Sequence, residues 1–343
     1  IGQSLPLTGP LGSVVAPIAQ GQKALLDEVN AEGGVRGAPI ELITLDDATQ
    51  PQRTADNAQR LIESERVAAL FGFAFVPGLM WALPLVNERK VPLIGVYNGA
   101  DIARNDANPY LFTTTASLRD EIVTMVRTLA AMNTRSLALA YQNNELGRFI
   151  VPLVKSVVQE HQATLAGAVP VEPDGSNGAA AAQAVAAMQP QAILLLAAGS
   201  AVLGFMKSLP ASARVPVYAL SLAGTTALLA QMGPAARGMA FTQVVPFPAR
   251  QTSALTRRFG ALMAKAGLPP TYDRMWGFLN ASILVEVLRR AGSNPTPAAI
   301  TATLERMSDV DLGGYRLAYG PKRRNGSNFV EITIVDHSGR FVR

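Results

Sequence analysis

Residues able to do chemistry are few in this chain and seldom sit together. Asp46 and Asp47 follow an apolar run, Ile40 to Leu45, and their types would suit a hard metal ion. Neighbours on a strand point to opposite faces, so the two carboxylates cannot chelate one ion without a bulge. Their plainer role is capping, of the turn over 48–52 or of the helix after it. The two histidines are His161 and His337. The first closes a predicted helix, where a cation suits the carbonyl end, and the second falls in the predicted turn Asp336-His337-Ser338-Gly339. Both are expected at the surface. There is no cysteine, which removes disulfides, thiolate metal sites and a thiol nucleophile. No predicted strand leads into Gly-x-Gly-x-x-Gly, and neither a Gly-x-x-x-x-Gly-Lys-Ser/Thr loop nor a Gly-x-Ser-x-Gly elbow occurs. No cofactor or metal is expected. The scarcity of acids, bases and nucleophiles points to binding rather than to an enzyme.

The elements that must position such a binding site alternate along 343 residues, enough for two lobes. With 49% hydrophobic and 16% charged residues, sizeable cores are available. The net charge of +5 is scattered, and the one tight cluster, Lys322-Arg323-Arg324, adjoins the turn-like Asn325-Gly326. That pattern lacks the basic stripe with interleaved aromatics that nucleic acid requires, so no nucleic-acid partner is expected. The longest apolar run, Ala192 to Met206, is broken by Gly199-Ser200 and falls short of the roughly 20 residues of a membrane span. It reads as a buried strand, Ala192 to Ala198, followed by a helix start, and a soluble chain is expected. Ile1 already begins a predicted strand, so a mature, trimmed form is expected.

Predicted strands cover Ile1 to Leu7, Ile40 to Leu45, Val67 to Phe73, Pro92 to Tyr97 and Leu111 to Thr115. A second series covers Leu137 to Gln142, Leu165 to Val171, Ala192 to Ala198, Val215 to Ser221 and Met239 to Val245. Helical patterns such as Ala16 to Asn30, Thr54 to Glu65, Arg119 to Met132 and Arg148 to His161 lie between them. Continuous apolar strands separated by helices predict an α/β fold of two doubly wound parallel-sheet lobes. After Thr252 the pattern changes to helices at Ser253 to Ala266, Asp273 to Ala291 and Thr296 to Met307, then strands at Leu312 to Tyr319, Phe329 to Asp336 and Phe341-Val342. The first series lacks helices to cover it. The chain is therefore expected to return, giving lobe one as residues 1–117 with 249–325 and lobe two as 118–248 with 326–343. Several crossings between lobes make a hinge, and hinged lobes close on a ligand.

Motifs spread over the whole length carry a more specific signal. They include Pro6-Leu7-Thr8-Gly9-Pro10, Asn30-Ala31-Glu32-Gly33-Gly34 with Gly37, and Leu45-Asp46-Asp47 followed by Gln50-Pro51. Val67 to Gly72, Val91-Pro92-Leu93-Ile94, Phe112 before Ala116-Ser117, and Tyr141-Gln142-Asn143-Asn144 with Gly147 follow, then Leu312-Gly313-Gly314 and Phe329-Val330-Glu331. In this order and spacing the chain resembles the ABC-transporter substrate-binding proteins of the Leu/Ile/Val type, with the type I periplasmic-binding fold. The resemblance implies three crossovers, a small-molecule ligand, delivery to a membrane permease, and export to the periplasm. A monomer is expected.

In a doubly wound fold the ligand lies outside the carboxyl ends of the strands. Lobe-one candidates are Phe75, Val76 and Pro77, with Phe73 beside them, and the loop Tyr97, Asn98, Gly99, Ala100 and Asp101. Gln142, Asn143, Asn144, Leu222, Ala223, Gln243 and Phe247 are the lobe-two candidates. Phe73 and Phe75 could equally belong to the core, and Trp81, one turn into a helix, reads as core. The resemblance implies a Ser about where Val76 stands, a Thr near Asp101, an acid for the ligand's ammonium group at Ala223, and an aromatic at Leu146. All four are missing. A buried ammonium without a carboxylate partner costs several kcal/mol, so the expected cargo is a small organic acid, aromatic acids included. The alternatives are an aliphatic amino acid, its ammonium taken by Asp101 or by carbonyls, and a ligand-sensing regulatory protein of the same fold.

Overall fold

The computed structural model describes residues 1–213 and 215–343, which divide into two compact units. The first comprises Ile1–Ser117 and Val245–Phe329, the second Leu118–Val244 and Val330–Arg343. Residues 245–248 and 326–329 thus lie with the first unit, against the expected boundaries. The physical reason is aromatic packing: Phe247 meets Tyr272 at 5.9 Å and Phe329 meets Tyr315 at 5.6 Å, all within the first unit.

The first unit holds a parallel sheet of β1 (Gly2–Leu5), β2 (Ile43–Asp46), β3 (Leu70–Phe71), β4 (Leu93–Ile94) and β5 (Leu111–Phe112), in the order β2-β1-β3-β4-β5. Its helices are α1 (Gly12–Ala31), α2 (Pro51–Gln59, continued by a wider turn over Arg60–Ser64), α3 (Val76–Arg89), α9 (Ala254–Ala266), α10 (Tyr272–Ala291) and α11 (Pro297–Arg306). Helix α1 buries Val15, Ile18, Gln22, Leu25, Leu26 and Val29, the three-and-four spacing of one helical face, and packs along α10. A hairpin of β11 (Val310–Asp311) and β12 (Arg316–Leu317) also belongs to this unit. Strands β3 and β4 are shorter than expected because Gly72 (φ +67°) and Gly95 (φ +70°) turn the chain into the left-handed region.

The second unit holds β6 (Ser136–Gln142), β7 (Thr164–Val171), β8 (Ala192–Leu196), β9 (Val217–Ala219), β10 (Ala240–Gln243), β13 (Glu331–Val335) and β14 (Phe341–Val342), ordered β14-β13-β10-β9-β8-β6-β7. All pairs are parallel except those made by β13 and β14. Helices α4 (Leu118–Ala131) and α5 (Glu145–Glu160) cover one face, and α6 (Gly178–Ala187), α7 (Gly199–Ser208) and α8 (Thr226–Met232) the other. The strands alternate accordingly: Ile193 and Leu195 pack with α6 and α7, Ala192, Leu194 and Leu196 with α4 and α5. Among the described residues no helix is long and apolar enough to cross a membrane.

Candidate functional site

Both sheets place a topological switch between their first and third strands, β1/β3 and β6/β8, since each follows a 2-1-3-4-5 order. The loops at the carboxyl ends of those strands are where such a sheet takes a ligand.

In the first unit the loop after β1 is held by Asp46. Its Oδ1 accepts the backbone N–H groups of Leu7 (3.0 Å), Thr8 (3.2 Å) and Ala48 (2.9 Å), and its Oδ2 the Thr8 hydroxyl (2.5 Å). Desolvation pushes this carboxyl up, but the Thr8 hydroxyl and the three N–H groups together hold it below its ordinary value. Asp47 points the other way, fully buried, and accepts the Ser4 hydroxyl at 2.9 Å and Thr49 N–H at 3.0 Å. Desolvation dominates there and raises it. The pair thus acts as two separate caps. No group of three or more metal-binding side chains occurs among the described residues.

The loop after β3 shows why Gly72 is glycine: a Cβ there would stand 2.5 Å from Gln3 Nε2 and 2.9 Å from the Tyr97 ring. Phe73 is fully buried in the core, whereas Phe75 and Val76 are half-buried at the start of α3 and Pro77 is exposed. Trp81, expected in the core, is 56% exposed. The spacing of the buried residues Gly78, Leu79, Ala82 and Leu83 defines one face of α3, and position 81 lies off it.

The loop after β4 is built on a buried amide network. Gln3 and Gln22 exchange hydrogen bonds of 3.0 and 2.7 Å, and the Tyr97 hydroxyl donates to Gln22 Oε1 at 3.1 Å. Burial pushes the Tyr97 phenol well above its ordinary range, so it stays a neutral donor. The Tyr97 ring meets Trp276 of α10 edge-on at 5.8 Å. Asn98, Gly99, Ala100 and Asp101 follow, all half-buried. Asn98 Oδ1 accepts Ala100 N–H at 3.3 Å, leaving Asn98 Nδ2 buried without a protein partner. The Trp276 indole Nε1 is also buried and unpartnered, as is Thr115 Oγ1 beyond β5. Trp276 was not singled out in the sequence. Its signal was a Trp on a helical stretch far from the loop in sequence, which nothing local connects to Tyr97.

In the second unit Gln142 ends β6 and its Oε1 accepts Ala198 N–H beyond β8 at 3.0 Å, tying the two sides of the switch point together. Asn143 donates to Glu172 at 2.7 Å, and Asn144 caps α5 by accepting Leu146 N–H at 3.0 Å. After β9 a turn over Ser221–Ala223 follows, with Leu222 half-buried and the Ala223 methyl fully buried in the core. Glu121 of α4, 1% exposed, accepts Ser221 N–H at 2.8 Å, the Ser221 hydroxyl at 3.0 Å and the Thr242 hydroxyl at 2.5 Å. Sequence reasoning missed this acid, which looks like any first-turn carboxylate on a helix. Gln243 is 3% exposed, lies against Gly224, and has an unpartnered Nε2. Phe247 falls in the first unit. His161 caps α5 at half-burial and His337 is exposed in its turn.

A model of the periplasmic binding protein family matches residues 1–338. Leu/Ile/Val-binding protein homolog 7 of Brucella abortus (strain 2308) is 36% identical over 88 residues, 26% of this chain and 22% of that protein. The chain therefore aligns with less than a quarter of that relative's length. An extracellular ligand-binding receptor from Verminephrobacter eiseniae ef01-2 shares the fold at TM-score 0.88 and 27% identity, covering 100% of this chain and 99% of that one. A solute-binding protein of an ABC transporter from R. palustris, solved in complex with benzoate, matches at TM-score 0.83 and 18% identity, covering 99% and 94%. With one family model spanning nearly every residue and the same paired α/β units in solved relatives, this chain belongs to the periplasmic binding protein family.

Proposed function

We propose that the chain is the solute receptor of an ABC uptake transporter, acting in the periplasm as a monomer. In this reading it binds a small organic acid, aromatic acids included, through loops at the carboxyl ends of its parallel strands, and hands it to a membrane permease. The observation that carries the ligand class is the polarity of the unpartnered groups. Trp276 Nε1 can only donate, and Asn98 Nδ2 and Gln243 Nε2 are amide donors as well. Buried donors without acceptors favour a ligand that supplies acceptor oxygens, as a carboxylate does. Ammonium recognition needs the reverse, and the position the family resemblance gives to an acid is the buried methyl of Ala223. The aromatic pair Tyr97 and Trp276 suits a flat apolar body. Residues proposed to touch the solute are Phe75, Val76, Pro77, Tyr97, Asn98, Gly99, Ala100, Gln142, Asn143, Asn144, Leu222, Gln243 and Phe247, whereas Ala223 is sealed in the core.

Relatives bearing the Leu/Ile/Val-binding name favour a second reading, an aliphatic amino acid with Asp101 or backbone carbonyls receiving its ammonium. Thermal-shift titration separates the two. Benzoate and 4-hydroxybenzoate are expected to raise the melting temperature, at saturation of a hundred times Kd by about 2.7 kcal/mol of added stability. Stabilisation by leucine or valine and by no aromatic acid would overturn the organic-acid reading.

A further inference from the structure

Where β5 ends, the chain runs from Thr113 to Ser117 and then leaves the first unit for Leu118. This stretch has no regular ladder beyond a single bridge between Thr113 and Asn325. Side chains take over its carbonyls one after another. Tyr319 donates its hydroxyl to Thr113 O and Tyr315 to Thr114 O, each at 2.9 Å. Both phenols are fully buried in effect, and desolvation holds them above their ordinary range, neutral and donating. The next two carbonyls belong to Arg104: Nη1 donates to Thr115 O at 2.7 Å and Nη2 to Ala116 O at 3.2 Å. The same Nη2 donates to Asn98 O at 2.9 Å. Arg104 itself closes the short turn over Asp101–Ala103, its own N–H donating to Asp101 O at 2.9 Å.

One guanidinium therefore joins two segments that the sheet does not. On one side is the Tyr97–Asp101 loop that carries the unpartnered Asn98 amide, and on the other the anchored lead into the first crossover. A planar fork with fixed donors suits this task, since it meets several acceptors in one geometry, which a lysine's single ammonium cannot reproduce.

We propose that Arg104 is a positioning residue for the solute site, locking the Tyr97–Asp101 loop to the Thr113–Ser117 segment so that the two move as one body. The proposal rests on the solute-binding reading above for its consequence, but the lock itself is a property of the ligand-free protein. The test uses Arg104→Met, with Arg104→Lys as a milder variant that keeps the charge and loses the fork. The control is Arg324→Met. Arg324 donates to Pro109 O, Gly320 O and Glu305 within the same unit and to no atom of the Tyr97–Asp101 loop.

Hydrogen exchange on the whole, ligand-free protein is read at peptides covering 97–104 and 113–118. Arg104→Met is expected to speed exchange in both segments together by about tenfold or more, one lost closing interaction of about 1.4 kcal/mol. Arg324→Met is expected to leave 97–104 within about twofold of wild type. With benzoate as the probe, Arg104→Met is expected to weaken binding about tenfold, Arg104→Lys by less, and Arg324→Met hardly at all. Unchanged exchange over 97–104 in Arg104→Met, or benzoate affinity lost equally in Arg324→Met, would overturn the proposal. So would faster exchange with unchanged benzoate affinity. Failure of wild type to bind benzoate would count against the proposed ligand class alone, and the exchange measurement would still decide the lock.

Discussion

Glu121 offers the sharpest test of how the second unit holds its candidate loop. Replacing it by alanine removes one acceptor from three donors: Ser221 N–H, the Ser221 hydroxyl and the Thr242 hydroxyl. Thr242 has a fallback, since its Oγ1 also lies 3.4 Å from Ala219 O. The two Ser221 donors have none in sight. Each buried donor left unmade costs about 1–3 kcal/mol, and the vacated side-chain volume adds to it, so Glu121→Ala is expected to cost about 3–5 kcal/mol. Glu121→Gln keeps the shape. Its amide oxygen can serve Ser221 N–H and Thr242, while the Ser221 hydroxyl turns to accept from the amide nitrogen, so about 1 kcal/mol is expected. Urea unfolding followed by two signals localises the effect. Both tryptophans, Trp81 and Trp276, belong to the first unit, whereas far-UV circular dichroism reports both units. The dichroism transition should move to lower urea in Glu121→Ala, and tryptophan emission should move less. A cost below about 1 kcal/mol for Glu121→Ala, or equal costs for the two variants, would refute the reasoning that the carboxylate is the shared acceptor.

Further outcomes follow from the first unit. Gly72→Ala puts a Cβ against Gln3 and Tyr97 in a left-handed backbone, so a loss of about 2–4 kcal/mol and a shifted Trp276 emission are expected in thermal unfolding. Trp81→Ala, at an exposed position, should cost less than about 1 kcal/mol in urea unfolding, while Trp276→Ala should cost about 3 kcal/mol. The acid limb of stability should depend on Asp46, whose folded pKa lies below the ordinary 3.8. Its contribution is present above that value and is lost as pH falls through the depressed one. Melting temperatures across this acid range should fall less steeply in Asp46→Asn. Asp47, raised by burial, works in the opposite sense, gaining stability on protonation, so Asp47→Asn should steepen the same limb.

The alternation of apolar strands and amphipathic helices was legible because both faces of a parallel strand are buried, and that leaves a continuous local signature such as Ala192 to Leu196. Strand lengths in the first unit were not. Leu93-Ile94 reads no differently from Pro92 to Tyr97 until Gly95 is seen to adopt a positive φ. The position of Trp81 failed because packing decides which face of a helix is buried: Gly78, Leu79, Ala82, Leu83 and Val86 of α3 face the core and Trp81 lies off that face. At the candidate site, Asn98 and Gln243 could be named from their places after strands, since strand ends are marked locally. Trp276, Arg104 and Glu121 could not, because each acts on partners that lie far away in sequence or are backbone carbonyls with no sequence signature.

The sequence by itself determined the class of fold and the family, since periodicity and ordered motifs are properties of the chain read locally. Tertiary structure alone decided which polar groups are satisfied. Gln3, Gln22 and Tyr97 close on one another, Arg104 exhausts three carbonyls, and Glu121 gathers three donors, while Trp276 and Gln243 keep theirs unspent. Hydrogen-bond satisfaction is a property of neighbours in space. It is fixed only when packing brings distant segments within 3 Å and excludes water from those left over.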